Sequence, residues 1–440
     1  MTPEGPSSKG LPAGWQRCTV GDLAAPSSYS CVGGPFGSDL TAKDYRASGV
    51  PVIRGANLGG STRWLRESGF VFVSPEKADQ LQRNMAFPGD LIFTQRGTLG
   101  QVARVPLSAR YPAYLLSQSQ MKLAPDLKRA DPDFLYFFFT SAIALREIER
   151  CTIGTGVPHL NLTILKSLSV VLPTLAEQRK IAAILSSVDE TIEKTEAVIA
   201  QLDVVKKAML EELLTRGIPG RHSRFKQTEI GEVPASWELG RLGDAAVPGG
   251  LQTGPFGSQL KAEEYSEHGI PVVMPRDMIG GRVDFSVIAR VPVARAEDLS
   301  RHRLILNDIV FARRGDIGRC ALVTEREVGW LCGTGSLRAR LGRGAVARFV
   351  VHYLGTPFAV GWLTENAVGQ TMLNLNTDIL ARLPILLPPV EEQELIADAI
   401  DAIDGRFEQE RACAARLGKV KESLSAALLS GDLRVLPGDR

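Results

Sequence analysis

Apolar residues recur at heptad spacing in two long stretches of the chain that are otherwise rich in charge, residues 173–217 and 388–432. Steps of three and four residues predict a helix with one apolar stripe, and such a stripe must pack against a partner. The seam residues, which form the two stripes, are Ile181, Leu185, Val188, Ile192, Ile199, Leu202, Met209 and Leu213 in the first stretch and Ile396, Ile400, Ile403, Phe407, Ala414, Leu417, Leu424 and Leu428 in the second.

The two stripes are copies of one another, because each seam residue of the first has a counterpart 215 positions later. The stripes are also interrupted at equivalent places, at Thr195 and Lys206 in the first and at Glu410 and Lys421 in the second. Proline and acidic residues precede each stretch and glycine ends it, as expected for helix starts and stops. We therefore predict two helices of roughly 60 Å, at about 1.5 Å per residue, that pack against each other.

The regions before the two helices are also duplicated. Gly34–Ser38 (GPFGS) recurs as Gly254–Ser258, and an Arg-Gly-x-x-Gly loop occurs at Arg96 and again at Arg314. Leu160-Asn161-Leu162 is matched with Leu373-Asn374-Leu375. Turn residues separate short β-like runs, and one helix is expected over residues 133–150. The predicted strands of the first copy are Val50–Arg54, Phe70–Val73, Asp90–Thr94 and Gln101–Val105.

The chain is thus predicted to be an α+β protein with two homologous mixed domains and two long helices. A domain whose ends lie close together returns the chain antiparallel, so the helices should form an antiparallel coiled coil with a pseudo-twofold axis. The expected segments are a tail at 1–10, a first domain at 11–172, a helix at 173–217, a second domain at 218–387, a helix at 388–432 and a tail at 433–440.

Composition narrows the function classes. The chain has 51 basic and 49 acidic side chains, for a net charge of +2, so any surface for nucleic acid must be local. Six scattered cysteines without a C-x-x-C pair argue against a zinc ribbon and suit a reducing cytoplasm. Neither a phosphate-binding loop nor the tetrad of an adenine methyltransferase occurs, and no nuclease carboxylate cluster stands out. We expect no catalysis, no cofactor and no metal.

Two repeated loops are candidate DNA contacts. The glycines of the GPFGS loop let its backbone approach a surface, and its phenylalanine could pack on a sugar or base, although a tight turn with a buried phenylalanine is the alternative. The arginine of the second loop lies between a strand and a glycine, and arginine is the commonest reader of guanine; a surface salt bridge is its alternative.

Positions at which the two halves differ are candidates for reading different bases, with ordinary sequence drift or a solvated face as the alternative. Arg54 and Asn57 align with Met274 and Asp277, Gln118-Ser119 aligns with Thr334-Gly335, and the second half has a local excess of arginine. The complete candidate set is Phe36, Gly37, Ser38, Arg54, Asn57, Arg96, Gln118, Ser119, Phe256, Gly257, Ser258, Arg276, Asp277, Arg313, Arg314 and Thr334.

Taken together, these motifs resemble the specificity subunit of type I restriction–modification systems. The resemblance covers roughly residues 11–435 and rests on Pro173–Gln178 with Ile181, its repeat Pro388–Gln393 with Ile396, Phe36-Gly37-Ser38, Asp90-Leu91-Ile92 with Arg96-Gly97, and Ile230–Pro234 with Trp237. It implies two target-recognition domains that read a split site in double-stranded DNA, with the helices setting the spacing. The implied partners are methylation subunits, two copies expected, and a restriction or motor subunit.

Two other classes of function remain open from the residues alone. One is a two-domain scaffold that binds proteins, and the other is a fragment of a fused adenine methyltransferase or nuclease. Retention of a bipartite duplex would favour DNA recognition over the scaffold, and binding of S-adenosylmethionine would favour the enzyme.

Overall fold

The computed structural model describes residues 11–60, 62–152, 159–255, 259–369 and 373–435. The chain divides into two compact units: Met1–Val198 with Glu410–Arg440, called unit 1, and Ile199–Gln409, called unit 2. Each unit contains a mixed α+β part and one segment from each of two 41-residue helices, Leu175–Thr215 and Val390–Ser430.

The α+β part of unit 1 is built on two four-stranded sheets. In one sheet the strand order is Cys31–Gly33, Gln120–Leu123, Leu91–Thr94 and Val102–Arg104, with all neighbours antiparallel. In the other it is Val71–Val73, Val50–Ile53, Tyr114–Leu116 and Met85–Ala86, with a parallel pair in the middle. This part also contains one further strand pair, Gln16–Thr19 with Ser169–Leu172. Its helices are Val20–Leu23, Pro75–Gln80, Pro132–Thr140, Ala142–Cys151 and Leu162–Ser167.

Unit 2 repeats this plan with shorter strands. Its four-stranded antiparallel sheet has the order Gln252–Thr253, Ser336–Ala339, Ile309–Ala312 and Cys320–Leu322, and its three-stranded sheet has the order Ala289–Val291, Ile270–Val273 and Leu331–Cys332. The strand pairs are Glu238–Arg241 with Pro384–Leu387, Phe225–Thr228 with Gly231–Pro234, and Met278–Ile279 with Arg282–Val283. The helices are Leu242–Ala245, Val293–Asp298, Ala347–Leu354, Pro357–Asn366 and Thr377–Arg382. The prediction of mixed α+β structure is confirmed.

The helix expected over residues 133–150 is wrong as a single element, because it is broken at Ser141. Ser141 is extended (φ −75°, ψ 154°), and its hydroxyl accepts a hydrogen bond from the Ala144 N–H, so it ends one helix and caps the next. Thr356 caps the helix Pro357–Asn366 in the same way, 215 positions later. The apolar run disguised this break, since apolar residues on both sides of it, Phe138 and Ile148 among them, are buried in one core.

The expected match of Leu160-Asn161 with Leu373-Asn374 is also wrong by two residues. Asn161 Oδ1 accepts from the Ile164 N–H at 2.8 Å, and Asn376 Oδ1 accepts from the Ile379 N–H at 2.8 Å. Each asparagine therefore caps the short helix that follows it. The shared Leu-Asn letters of 373–374 are a coincidence, whereas the caps keep the 215-residue offset.

The seam residues of the two long helices all lie away from solvent, but to different degrees. Those nearest the α+β parts are buried, and the others are half-buried; the buried ones are Ile181, Leu185, Leu213, Ile396, Ile400 and Leu428. Within unit 1, Glu177 pairs with Arg434 and Asp189 with Lys421, so the two segments run in opposite sequence order. The seam is thus a real apolar stripe that is covered within each unit.

The two lysines that interrupt the stripes each face a carboxylate on the other helix. Lys421 Nζ lies 2.6 Å from Asp189 Oδ1 in unit 1, and Lys206 Nζ lies 2.5 Å from Asp404 Oδ1 in unit 2. Lysine and aspartate both recur at the 215-residue offset. The interruptions in the stripe are therefore paired charges rather than missing contacts.

Each long helix begins at a buried glutamate that binds a tryptophan of the same unit. Trp15 Nε1 donates to Glu177 Oε2 at 3.1 Å, and Trp237 Nε1 donates to Glu392 Oε2 at 3.2 Å. The second oxygen differs in partner: Arg434 Nε lies 2.9 Å from Glu177 Oε1, whereas His222 Nε2 lies 2.7 Å from Glu392 Oε1. The repeated acidic residues at the helix starts thus anchor the α+β part to its helix.

Candidate nucleic-acid interface

The predicted contact loops of unit 1 meet at one end of its four-stranded sheet. The strands Cys31–Gly33 and Leu91–Thr94 end there, and Gln120–Leu123 begins there, because each is antiparallel to its neighbour. The GPFGS loop, the Arg96 loop and the Gln118–Ser119 turn follow or precede these strand ends directly. Residues that are up to 85 positions apart in the chain, from Gly34 to Ser119, therefore share one surface.

The GPFGS loop is held at that surface by backbone contacts. Gly34 N–H donates to the Gln120 carbonyl at 2.8 Å, and a Cβ at Gly34 would lie 1.8 Å from the Ser117 carbonyl oxygen. Gln118 Nε2 donates to the carbonyls of Gly37 at 2.6 Å and Leu40 at 2.8 Å. Only glycine fits at position 34, and the Gln118 amide fixes the tip of the loop.

Phe36 at the tip of this loop is 83% exposed. The alternative of a buried turn phenylalanine is therefore excluded for this copy. An exposed ring on a braced loop costs free energy in water and is available to stack or pack against a ligand.

Arg96 lies beside the same tip. Its side chain is exposed, its N–H donates to the Ser119 carbonyl at 3.4 Å, and its backbone forms a β-bridge with His159. The described residues contain no carboxylate within ion-pair distance of Arg96, so the salt-bridge alternative has no support among them. A guanidinium in this setting can bind phosphate or a guanine edge.

Two further predicted contacts of unit 1 have structural roles. Asn57 is buried; its Nδ2 donates to the carbonyls of Arg66 and Ser68 at 3.0 Å, and its Oδ1 accepts from the Arg54 N–H at 3.0 Å. Arg54 Nη2 donates to the Gly69 carbonyl at 3.1 Å. Because the Asn57 amide is fully used inside the domain, the geometry argues against its reading a base directly.

Unit 2 brings the described parts of the equivalent loops together at the equivalent sheet end. Gly254 N–H donates to the Ser336 carbonyl at 2.9 Å, and a Cβ at Gly254 would lie 2.0 Å from the Gly333 oxygen. Arg313 Nε donates to the Leu375 carbonyl at 3.2 Å, while burial, and then Arg314, lowers the pKa of Arg313. Arg314 is exposed, as Arg96 is. The predicted contacts Phe256, Gly257 and Ser258 lie outside the described residues.

The remaining predicted residues of unit 2, like those of unit 1, include both exposed residues and buried residues with a structural role. Arg276 is exposed, but Asp277 is buried, where its Oδ2 accepts from the Met274 N–H at 2.8 Å, and burial raises its pKa. Thr334 is half-buried and interacts with the Tyr265 hydroxyl. Asp277 therefore matches Asn57 as an internal cap, and the difference between them does not present different chemistry to DNA.

Sequence reasoning missed Arg66 in unit 1. Its exposed guanidinium donates through Nη2 to the Gly59 carbonyl at 3.0 Å, and Gly59 packs on the Gln101 side chain at the start of strand Val102–Arg104. This places Arg66 at the same sheet end as Arg96. The Gly59-Gly60 pair, both with positive φ, was the only local signal of a sharp turn there.

The described residues hold no cluster of His, Cys, Asp or Glu that could bind a metal ion. None of the helices in the described part of the chain is long and apolar enough to cross a membrane. What the sheet ends offer is an exposed ring, guanidinium groups and backbone N–H groups near glycines. These groups suit binding to a polyanion with base edges.

The chain belongs to the family defined by the type I restriction modification DNA specificity domain. The family model matches residues 37–204 and 300–415, which is more than half of the chain. It is therefore a specificity subunit that recognises DNA targets, as the sequence predicted. Such subunits recognise DNA and are not catalytic, which confirms the prediction that the chain is no enzyme. DNA and the methylation and restriction subunits of these systems are accordingly its partners.

Several relatives support this assignment along the chain. The MjaVIII specificity subunit of Methanocaldococcus jannaschii is 28% identical over 330 residues, covering 73% of this chain and 75% of the relative. The putative MjaX specificity subunit of the same organism is 27% identical over 409 residues, covering 90% of each chain.

Solved structures show the same fold. A type I restriction–modification S subunit from M. genitalium has a TM-score of 0.57 at 16% identity, covering 97% of this chain and 99% of its own. A chain from a study of the assembly and conformational transition of a type I restriction–modification system has a TM-score of 0.55 at 18% identity, covering 97% of this chain and all of its own.

Proposed function

We propose that residues 11–172 and 218–387 are two target-recognition domains, each of which reads one half of a bipartite DNA site. The observation that carries this is the repetition of one surface. In each unit the start of the glycine-rich loop, the arginine loop and the turn before the next strand gather at the same sheet end. Dimeric DNA readers use the same device, in which one recognition surface is presented twice.

In each domain we assign DNA contact to the groups that are exposed at the sheet end. For the first domain these are Phe36 with Gly37 and Ser38, Arg96 and the missed Arg66, with half-buried Ser119 beside them. For the second they are Arg276 and Arg314, with half-buried Arg313 and Thr334 beside them. By the repeat of the motif we also assign DNA contact to Phe256, Gly257 and Ser258, which lie outside the described residues. Arg54, Asn57 and Asp277 support these loops from behind, whereas Gln118 is exposed and uses its amide to brace the tip of the first loop. Half-site specificity then rests on the exposed set, because buried caps present no free donors.

The long helices, residues 173–217 and 388–432, form the antiparallel, pseudo-twofold connector that sets the distance between the half-sites. Their paired charges, Asp189 with Lys421 and Asp404 with Lys206, keep the 215-residue offset, which supports one register for the pair. The exposed faces of the helices remain available for the methylation subunits, for which two copies fit the duplication, and for a restriction or motor subunit.

The proposed connector is tested by changing its length at the centre of the predicted symmetry. That centre falls between Ala197 and Val198 in the first helix and between Ala412 and Cys413 in the second. Seven residues inserted at both places lengthen each helix by about 10 Å. With about 3.4 Å per base pair, the preferred spacer should grow by about three base pairs while both half-sites stay the same.

The readout is the methylation pattern of cells that express each variant with its methylation subunit, which reports both half-sites and the spacer. An insertion in only one helix is the matched control, since it breaks the pairing of the seam and should abolish methylation. A double insertion that leaves the spacer unchanged contradicts the connector, whereas changed half-sites contradict the assignment of the two domains.

The isolated subunit should bind DNA weakly, because its net charge of +2 provides little overall attraction to phosphate. A gel shift with the bipartite duplex should show much tighter binding once the methylation subunit is added. Equal affinity with and without that subunit would contradict this expectation.

A further inference from the structure

The joint between the α+β part and the long helices is built differently in the two units. In unit 1 it is filled by the indole of Trp64 and two guanidinium groups. Arg63 Cζ lies 4.7 Å and Arg104 Cζ lies 5.4 Å from the centre of the Trp64 ring. Such contacts between a cation and a ring are favourable, and they are stronger away from water.

Carboxylates hold the two guanidinium groups of this joint in place. Arg104 Nη1 lies 2.5 Å and Arg63 Nε 3.5 Å from Asp133 Oδ1, and Arg63 Nη2 lies 3.8 Å from Glu190 Oε1. Glu190 belongs to the long helix Leu175–Thr215. The ring, the two cations and the two acids therefore fasten the domain of unit 1 to its helix.

The strand pairing identifies the same positions in unit 2. Leu91 pairs with Arg104 and Ile309 pairs with Leu322, so Leu322 corresponds to Arg104. Arg104 N–H donates to the Arg63 carbonyl at 2.8 Å, and Leu322 N–H donates to the Gly281 carbonyl at 2.9 Å. Gly281 thus corresponds to Arg63, and the next residue, Arg282, corresponds to Trp64. By the 215-residue offset, Glu190 corresponds to Gly405.

Unit 2 has a cavity of about 1340 Å³ at this joint. Its lining includes Gly281, Arg282 and Leu322, and its apolar walls come from both the long helix and the domain, among them Leu210, Ile317 and Phe358. One side is polar: Arg348 Nη1 lies 2.8 Å from Asp401 Oδ2, and His352 Nε2 lies 2.9 Å from Asp401 Oδ1. The cavity therefore lies where unit 1 has its indole and its two cations.

We propose that this cavity of unit 2 is a binding site for a planar aromatic ring supplied from outside the chain. The homologous joint shows which group suits the position, since unit 1 supplies an indole from its own sequence. Apolar walls and a volume at or above that of ordinary ligand sites can accept a ring, and the Arg282 and Arg348 guanidiniums can lie against its face. The cavity is lined in part by Ile317 and Gly318 of the loop that follows Arg314, but its lining does not include Arg276, Arg313, Arg314 or Thr334, which are proposed to contact DNA.

The probe is 5-fluoroindole, titrated into the full-length chain and followed by fluorine NMR. We expect saturable binding of one equivalent. Arg282→Trp places an indole where unit 1 has one and should weaken probe binding at least tenfold. Leu210→Trp, which fills the cavity from the helix side, should do the same. Cyclohexanol, which has a ring without π electrons, should bind at least tenfold more weakly than the probe.

A reciprocal variant in unit 1 provides the matched control. Trp64→Ala removes the indole from the filled joint and should create a second equivalent of probe binding. No saturable binding to the wild-type chain overturns the proposal, as does binding that both filling variants leave unchanged. Equal binding of cyclohexanol overturns the requirement for an aromatic ring.

The ring could come from a side chain of the methylation subunit or from a free small molecule, and adding the methylation subunit distinguishes these two sources. Displacement of 5-fluoroindole by that subunit shows that a partner side chain supplies the ring, and retention of the probe shows that the ring belongs to a free small molecule. Both results depend on the cavity and not on the DNA contacts, so failure of the proposed half-site reading would leave them unaffected.

Discussion

Replacing Lys421 with methionine tests whether the charges in the helix seam stabilise the pairing. The Asp189 carboxylate is 2% exposed, and its Oδ2 is buried with no hydrogen-bond partner among the described residues. Lys421→Met would leave this carboxylate buried and without its cation. Removing one partner of a buried ion pair costs about 3–5 kcal/mol. Since Lys421 itself is 31% exposed, water offsets part of this cost. We therefore expect Lys421→Met to lower the free energy of unfolding by about 2–3 kcal/mol.

The corresponding change in unit 2 is the matched comparison. Asp404 is 20% exposed, so the carboxylate left by Lys206→Met keeps contact with water. We expect a loss of about 1 kcal/mol for this variant. The two lysines occupy equivalent positions. The difference in stability loss between Lys421→Met and Lys206→Met therefore measures the effect of burying the carboxylate.

The assay is hydrogen exchange of the backbone amides in the helix segments around each pair. Since 1.4 kcal/mol is a factor of ten, Lys421→Met should speed exchange around Asp189 about 30- to 140-fold. Lys206→Met should speed exchange around Asp404 about fivefold. Circular dichroism at the same temperature checks that both variants keep their helix content.

A double variant decides whether the cost comes from the unpaired charge. Asp189→Leu with Lys421→Met replaces both charges by apolar groups of similar size, and it should recover most of the stability lost in the single variant. The reasoning is refuted if the double variant is as unstable as Lys421→Met alone. It is also refuted if Lys206→Met costs as much as Lys421→Met.

Three other predictions concern the core and the loops. Burial raises the pKa of the Cys320 and Cys332 thiols to about 12. A thiol reagent at pH 8 should therefore label half-buried Cys413 long before it labels Cys320 or Cys332. Labelling of Cys320 and Cys332 as early as Cys413 would contradict this. Burial, and then Arg301 and Arg338, lowers the pKa of His302 to about 4. As the pH falls below about 6.5, the unfolded chain therefore takes up a proton at His302 before the folded chain does. The free energy of unfolding of unit 2, measured with urea, should fall by about 1–2 kcal/mol by pH 5. His302→Asn should remove this pH dependence. Gly34→Ala forces a Cβ against the Ser117 carbonyl, so it should reduce DNA binding by the assembled complex at least tenfold. Alanine at the neighbouring Gly33, where a Cβ would lie 3.6 Å from the nearest atom, should have a smaller effect, and equal effects would contradict the bracing of the loop.

The duplication, the two long helices and the family were predictable from the sequence because each depends on local patterns and short motifs that repeat along the chain. A heptad stripe, a helix start and a glycine stop are each readable within a few residues, and their recurrence at one offset excludes chance. The sequence could not reveal that Lys206 and Lys421 find carboxylates on the other helix, since that depends on which helix faces pair. It also could not separate the exposed Phe36 from a buried turn residue, because both have the same local letters.

The sequence by itself determined the repeated plan of this protein, its two long helices and the loops that are candidates for DNA contact. The tertiary structure decided which candidates are exposed and which are internal caps, as Asn57 and Asp277 are, because burial depends on chain segments distant in sequence. It also decided that one joint is filled by Trp64 and that the other has an open cavity. Packing volume is a property of several elements together, and no single stretch of sequence specifies it.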